Sequence, residues 1–571
     1  GAITNSGIIN SNASNIKGSV TNAGTLNLIG GVLEKTVSGD GSTNILGSVT
    51  SNSAINQAIN VAANGGLTAS ASNIGGAVSN AGLLTLTGGI LSNAVSGAGS
   101  TIITADLTNT GGINQGVTVN NGVTLINNAV LGSAAGQIIN SGIINTNASN
   151  IKGTVTNNNN LNLIGGTLSN TVSGDGITNI TGSVTSNAAI NQDIKIFNDK
   201  GVLTADANYI GGNVSNDGIL TLISGTLQNQ VSGAGKTTIT GNVLANASIT
   251  QLIEVAVSGA LTTSANLIGG AVNNSGNLFL TSGTLEQSIT GLGQTSITGE
   301  VIANSTIGQK LLINEFGDLT IHADNIGGKI INHGILTLTG GTLSYEVEGE
   351  GALGIAGEII NNDIISQNVV IKRTGNLINN NNISNVINYG ILTSKGEYLT
   401  GTILNENTLN LSGTIGKTIS GNGTTYVSSS LALANGADIK NVLNLADNAE
   451  LNTIGDVNSS YAIGSLTGNG NVNVSTGNLI IHNDAYLNNF INNSAADING
   501  KLELQGELHN SGILTIGDII ANDISNTGTI IIKNESEFRD LTNDGNVELS
   551  GALTAQDIVN NQRFESVSSV T

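Results

Sequence analysis

An asparagine followed four and six residues later by leucine occurs six times in residues 1–351, and the spacing of these copies leaves few folds open. The asparagines are Asn22, Asn80, Asn157, Asn216, Asn274 and Asn332, and the second leucines are Leu28, Leu86, Leu163, Leu222, Leu280 and Leu338. Intervals of 58, 77, 59, 58 and 58 residues separate the asparagines. The long interval exceeds the usual one by 19, yet the pattern after it is undisturbed. A stack of windings tolerates such an insertion, because each winding touches only its neighbours.

The phrase also recurs at closer range. Val20-Thr-Asn-Ala-Gly24-Thr-Leu-Asn-Leu28 is echoed 17 residues later by Val37-Ser-Gly-Asp-Gly41-Ser-Thr-Asn-Ile45, and a third phrase starts at Val61. Three windings per 58-residue copy give about 19 residues each. Alternation at Leu26-Asn27-Leu28 and Leu84-Thr85-Leu86 is that of a strand with one apolar face. Gly30-Gly31, Gly88-Gly89, Gly165-Gly166 and Gly340-Gly341 follow, where a corner needs positive φ. Glycine, asparagine, serine and threonine dominate, and no long apolar stripe of helical period appears. The expected fold is therefore all-β, a right-handed parallel β-helix (β-solenoid) with about 19 residues per coil. Residues 1–351 read as a regular β-solenoid with 58-residue repeats, and 352–571 as an irregular continuation of the same body. In that second stretch the phrase persists at Asn388, Asn407, Asn510, Asn526 and Asn543.

Composition narrows the function classes. Proline, cysteine, methionine and tryptophan are absent, and glycine reaches 79 of 571 residues. Disulfides and thiol-bound metals are thereby excluded, and lack of cysteine fits a large exported bacterial protein. The net charge of −21 disfavours nucleic acid, for which no basic stripe is present. No apolar run is long enough for a transmembrane segment. The chain begins at Gly1 inside the repeat phrase, with Ile3-Thr-Asn5-Ser-Gly7 matching Ile138-Ile-Asn140-Ser-Gly142. That start points to processing or to an excerpt, and an open strand edge there would pair with another copy.

Candidate chemistry is sparse. The asparagine column, with its leucines, reads as a structural ladder, either turn residues or inward amides bonded from coil to coil. Thr85/Thr87 and Thr337/Thr339 resemble the hydroxyl pairs of ice-binding solenoids, but the equivalents Asn27, Asn162 and Phe279 break the array. Glu346, Glu348 and Glu350 alternate around Val347 and read as a solvated acidic face in preference to a calcium site. A polysaccharide-cleaving enzyme would need paired carboxylates with a base or arginine. Asp497, Glu503 and Glu507 are close in sequence, but His322, His333, His482 and His509 are scattered, as are Arg373, Arg539 and Arg563. No catalytic, cofactor-binding or metal-binding residue is assigned, and no cofactor is expected.

Asn80-Ala-Gly82-Leu-Leu84-Thr-Leu86-Thr-Gly88-Gly89 resembles the repetitive passenger regions of bacterial autotransporter and filamentous-haemagglutinin-type surface adhesins. The resemblance implies an extracellular, cell-surface β-helix acting as an adhesin passenger or structural stalk. Its partners would be a host-cell surface, a glycan or other copies of itself. A self-assembling subunit of an extracellular fibre or surface layer, by head-to-tail association, is the alternative. A polysaccharide-degrading enzyme is the third reading.

Overall fold

Leu26 and Leu28 are fully buried on the strand Thr25–Leu28, whereas Thr25 and Asn27 stay half-exposed, and this alternation repeats along the chain. The computed structural model describes residues 1–571. It is an all-β structure of parallel stacked coils, a β-solenoid of about 33 turns with about 17 residues per turn. Its helical segments are seven short 3-10 turns. Each early coil contributes three strand segments. In the coil after residue 20 these are Val20–Asn22, Thr25–Leu28 and Gly31–Leu33, which pair with Val37, with Ser42–Ile45 and with Val49–Ser51 of the next.

The coil is shorter than 19 residues because a 58-residue copy is not three coils. Leu26 stacks on Thr43, Thr43 on Ile59 and Ile59 on Val78. Val78 is the counterpart of Val20 one copy later, yet it lies above Leu26. Val20 itself lies under Val37, Ile55 and Ile74. Each copy therefore makes three coils and one further face, so the phrase moves around the coil as it advances. In the 77-residue interval the same path runs Leu84, Thr101, Val117, Ile138, Val155, which is four coils. The insertion is one whole coil, and the phrase still moves on by one face.

The chain divides into two units, Gly1–Phe279 with Glu286–Gln294, and Leu280–Leu285 with Thr295–Thr571. In the first, each of the second leucines of the repeat phrase is stacked between a smaller side chain on the coil before and an isoleucine on the coil after. Leu28 lies between Ser11 and Ile45, Leu86 between Ala69 and Ile103, Leu163 between Thr146 and Ile180, and Leu222 between Ala205 and Ile239. A fully buried leucine contributes about 1.5–3 kcal/mol, so the summed column outweighs any single polar contact. In the second unit coil length varies more. The step is 17 residues at Asn388 to Asn405, 20 at Leu431 to Leu451, 23 at Leu443 to Leu466 and 16 at Leu508 to Ile524. Two large aromatics, Tyr461 and Phe490, are fully buried there, and the Tyr461 hydroxyl donates to the Ile454 carbonyl at 2.8 Å.

One corner is built alike in successive copies. A 3-10 turn with a buried alanine (Ala13–Asn15, Ala71–Asn73, Ala148–Asn150) is followed by the glycine pair. The first glycine has positive φ at Gly30, Gly88 and Gly165, but only the second is constrained in all six copies. Gly31, Gly89, Gly166, Gly225, Gly283 and Gly341 have φ between 87° and 95°, whereas the first position is Ser224 or Ser282 in two copies. A Cβ on Gly166 would lie 2.0 Å from the Asn147 side-chain oxygen. Gly166→Ala is therefore expected to cost about 1–3 kcal/mol, and Gly340→Ser, at a first position without positive φ, well under that. Urea midpoints of the two variants, measured side by side, check the difference.

Candidate functional site

The six repeat asparagines are all fully buried, and so are the six leucines Leu28, Leu86, Leu163, Leu222, Leu280 and Leu338. No two of the six asparagines are register neighbours, because each copy turns to a new face. Asn22 stacks on Asn5 and Asn157 on Asn140, but Asn80 lies over Val61, Asn216 over Ile196 and Asn332 over Ile313. Each carboxamide closes a local turn. The Asn80 Oδ1 accepts from the Gly82 amide at 3.0 Å, and its Nδ2 donates to the Ser100 carbonyl of the next coil at 3.0 Å. Uninterrupted amide stacking occurs elsewhere, in the second unit, where Asn492, Asn510, Asn526, Asn543 and Asn560 hydrogen-bond in series. Around residue 407 the inward residue is Asn405, not Asn407. Asn405 stacks over Asn388, and the exposed Asn407 occupies the place that glycine holds in Asn388-Tyr389-Gly390.

A buried glutamine accompanies every repeat asparagine 35 residues on, at Gln57, Gln115, Gln192, Gln251, Gln309 and Gln367. Sequence reasoning missed it, although the fixed offset was there to find. The Gln57 Nε2 donates to the Thr43 hydroxyl at 2.5 Å, and its Oε1 accepts from Asn22 at 3.3 Å. Four further copies repeat the Gln–Thr bond at the same 14-residue offset. In the sixth copy Leu353 stands where threonine would be, and the Gln367 Nε2 has no partner. Thr43→Val keeps the shape and removes the acceptor. It is expected to destabilise the first unit by about 1–3 kcal/mol, seen as a lowered urea midpoint, whereas Thr85→Val on the outward face leaves the midpoint within about 0.5 kcal/mol of wild type.

Charged groups sit at the surface, and some of them form small sets. Glu346 and Glu348 flank the buried Val347 and both hold the Lys329 ammonium of the preceding coil, at 2.9 and 2.7 Å. Hydrogen bonds to Glu348 and then Glu346 raise the Lys329 pKa above its ordinary value. Glu350 lies beyond Gly349 and is exposed. The three carboxylates weighed as an enzymatic set each have a separate basic neighbour: Asp497 lies 3.8 Å from Lys533, Glu503 is 2.8 Å from Lys501, and Glu507 is 2.8 Å from His509. All four imidazoles are exposed, with His322 beside Asp324 at 3.5 Å. Arg539 reaches Asp523 and Asp540, Arg563 reaches Glu565, and Arg373 is exposed. No three histidine, aspartate or glutamate side chains converge on a point that could hold a metal ion, and no helix is long and apolar enough to cross a membrane.

Outward rows of amides and hydroxyls make up much of the remaining surface. Asn10, Asn27, Asn44 and Asn60 form one such row, with amide contacts of 2.6, 2.8 and 2.9 Å. Thr185, Thr204, Thr221 and Thr238 stack as another. Compared with protein-family models, curated proteins and solved structures, this chain matches none. The stacked β-solenoid that the adhesin resemblance implies is present.

Proposed function

We propose that this chain is a non-enzymatic scaffold on the outside of a bacterial cell, serving as an adhesin passenger or structural stalk. The observation that carries this reading is the division of labour in every coil. Aliphatic side chains and mostly hydrogen-bonded amides fill the interior, and what faces outward is a repeated amide and hydroxyl surface. Such a surface favours many weak contacts over one reactive centre, and the scattered, individually paired carboxylates favour the same view.

Protease treatment of intact producing cells tests it. The expected outcome is loss of the chain from the surface fraction without cell lysis, together with lost adherence to host cells or to a glycan-coated surface. Retention inside unlysed cells overturns the reading. Cleavage of any polymer in a polysaccharide panel would transfer the chain to the enzymatic class, and filaments of indefinite length in negative stain would transfer it to self-assembling subunits.

A further inference from the structure

In the second unit, strands Glu450–Thr453, Asn471–Val474, Asn489–Asn492 and Glu507–Asn510 run side by side, and their outward faces form a groove of about 510 Å³. One register column supplies its floor: Asn452, Asn473, Ile491 and His509. Glu450 and Glu507 stand at its margin. The two asparagines differ from the outward amide row at Asn10 to Asn60. In the row Asn10 to Asn60 each carboxamide bonds to the next, whereas Asn452 and Asn473, equally adjacent in register, make no such bond. The Asn473 Oδ1 is closed off from solvent with no hydrogen-bond partner. A polar atom shielded and unsatisfied in this way calls for a group that completes it.

We propose that this groove binds a short neutral or N-acetylated oligosaccharide, with the Asn452 and Asn473 carboxamides as its principal contacts. The chemistry selects that class. Carboxamides both donate and accept, and the Glu450 carboxylate accepts, which together match vicinal hydroxyls. The neighbouring carboxylates oppose polyanions such as nucleic acid. No phenylalanine, tyrosine or tryptophan lines the groove, and the strands are paired on both sides, which leaves no backbone edge for an added peptide strand. The volume falls in the range of ordinary ligand sites. Ile491 gives the apolar face of a sugar ring something to cover.

The inference deepens the surface-scaffold reading by naming a ligand class, and it is tested apart from it. The labelled full-length chain is applied to an array of neutral, N-acetylated and sialylated oligosaccharides. Retention of a neutral or N-acetylated probe is expected, with at least tenfold weaker binding by the Asn452→Ala/Asn473→Ala double variant. Asn27→Ala, in a self-satisfied row, should change binding less than twofold. Glu450→Gln, which keeps the shape, should raise retention of sialylated probes. Thermal unfolding of each variant shows that the fold is kept, and Asn473→Ser serves if the alanine variant unfolds. No retained probe, equal binding by the double variant, or a preference of the wild-type chain for sialylated probes overturns the site. None of these outcomes bears on where the chain is displayed, which cell fractionation decides.

Discussion

Gly97→Ala is expected to cost the first unit about 3–5 kcal/mol, a large effect for the addition of one methyl group. Gly97 has φ +125°, a conformation that L side chains rarely adopt, and it lies directly over Asn80 of the preceding coil. A Cβ there would sit 2.2 Å from the Asn80 carbonyl oxygen and 2.8 Å from its carbonyl carbon. Neither atom can rotate away, because both belong to the backbone of a paired strand. The coils must part, or the turn must be rebuilt. The internal copies carry the same constraint: Gly39, Gly174, Gly233, Gly291 and Gly349 all have φ between 109° and 116° and all approach the backbone of the repeat asparagine below. The residue one position on is unconstrained, being Asp40, Ala98, Asp175, Ala234, Leu292 or Glu350. Ala98→Ser is therefore the matched control, with a change within about 0.5 kcal/mol. Native-state hydrogen exchange locates the effect. Protection should fall at the amides of Ala81 to Ser100 in the glycine variant and remain at its wild-type level in the control.

The comparison of copies explains how much of this could be read from the sequence. Strand, corner and inward alternation were legible at Leu26-Asn27-Leu28 because side-chain direction in a strand depends on nearest neighbours. Coil length was not, because the strongest period belongs to the copy and the copy does not close on itself. Dividing 58 by three places Val78 over Val20, when it lies over Leu26. Once the step is known to be about 17, separations of that size become contacts. Lys329 and Glu346 are 17 apart and paired, and Arg539 and Asp523 are 16 apart and paired. The glutamine column stayed hidden for a related reason: Gln57 meets Asn22 across 35 residues, two coils away. Asn452 and Asn473 gave no signal at all. Their column continues with Ile491 and His509, so nothing repeats, and what sets the two apart is a hydrogen bond that is missing. Such an absence belongs to packing and has no imprint on residue order.

Asn526→Ala is the second large effect, expected at about 3–5 kcal/mol in the second unit. Its side chain is the centre of five stacked carboxamides, accepting from the Asn510 Nδ2 at 2.7 Å and donating to the Asn543 Oδ1 at 2.6 Å. Its Nδ2 also lies 3.1 Å from the Asn546 carbonyl of the next coil and 3.3 Å from the Gly528 carbonyl of its own turn. Truncation leaves the Asn510 donor and the Asn543 acceptor without this partner in an interior that water does not reach, so the loss is that of several desolvated groups. Each surviving bond also loses the polarisation that a chain of amides supplies. Asn560, at the end of the series and exposed, provides the contrast: Asn560→Ala removes the terminal bond from Asn543 and an exposed bond to the Gln562 carbonyl, and should cost about 1 kcal/mol or less. Combining Asn526→Ala with Asn543→Ala separates the two explanations available for the central effect. If unsatisfied partners dominate, the double variant costs distinctly less than the sum of the singles, since each removal deletes a group the other had orphaned. If lost packing dominates, the costs add. The urea midpoints of the four proteins decide between them, and a central variant no less stable than Asn560→Ala would remove the amide series from the forces that hold these coils in register.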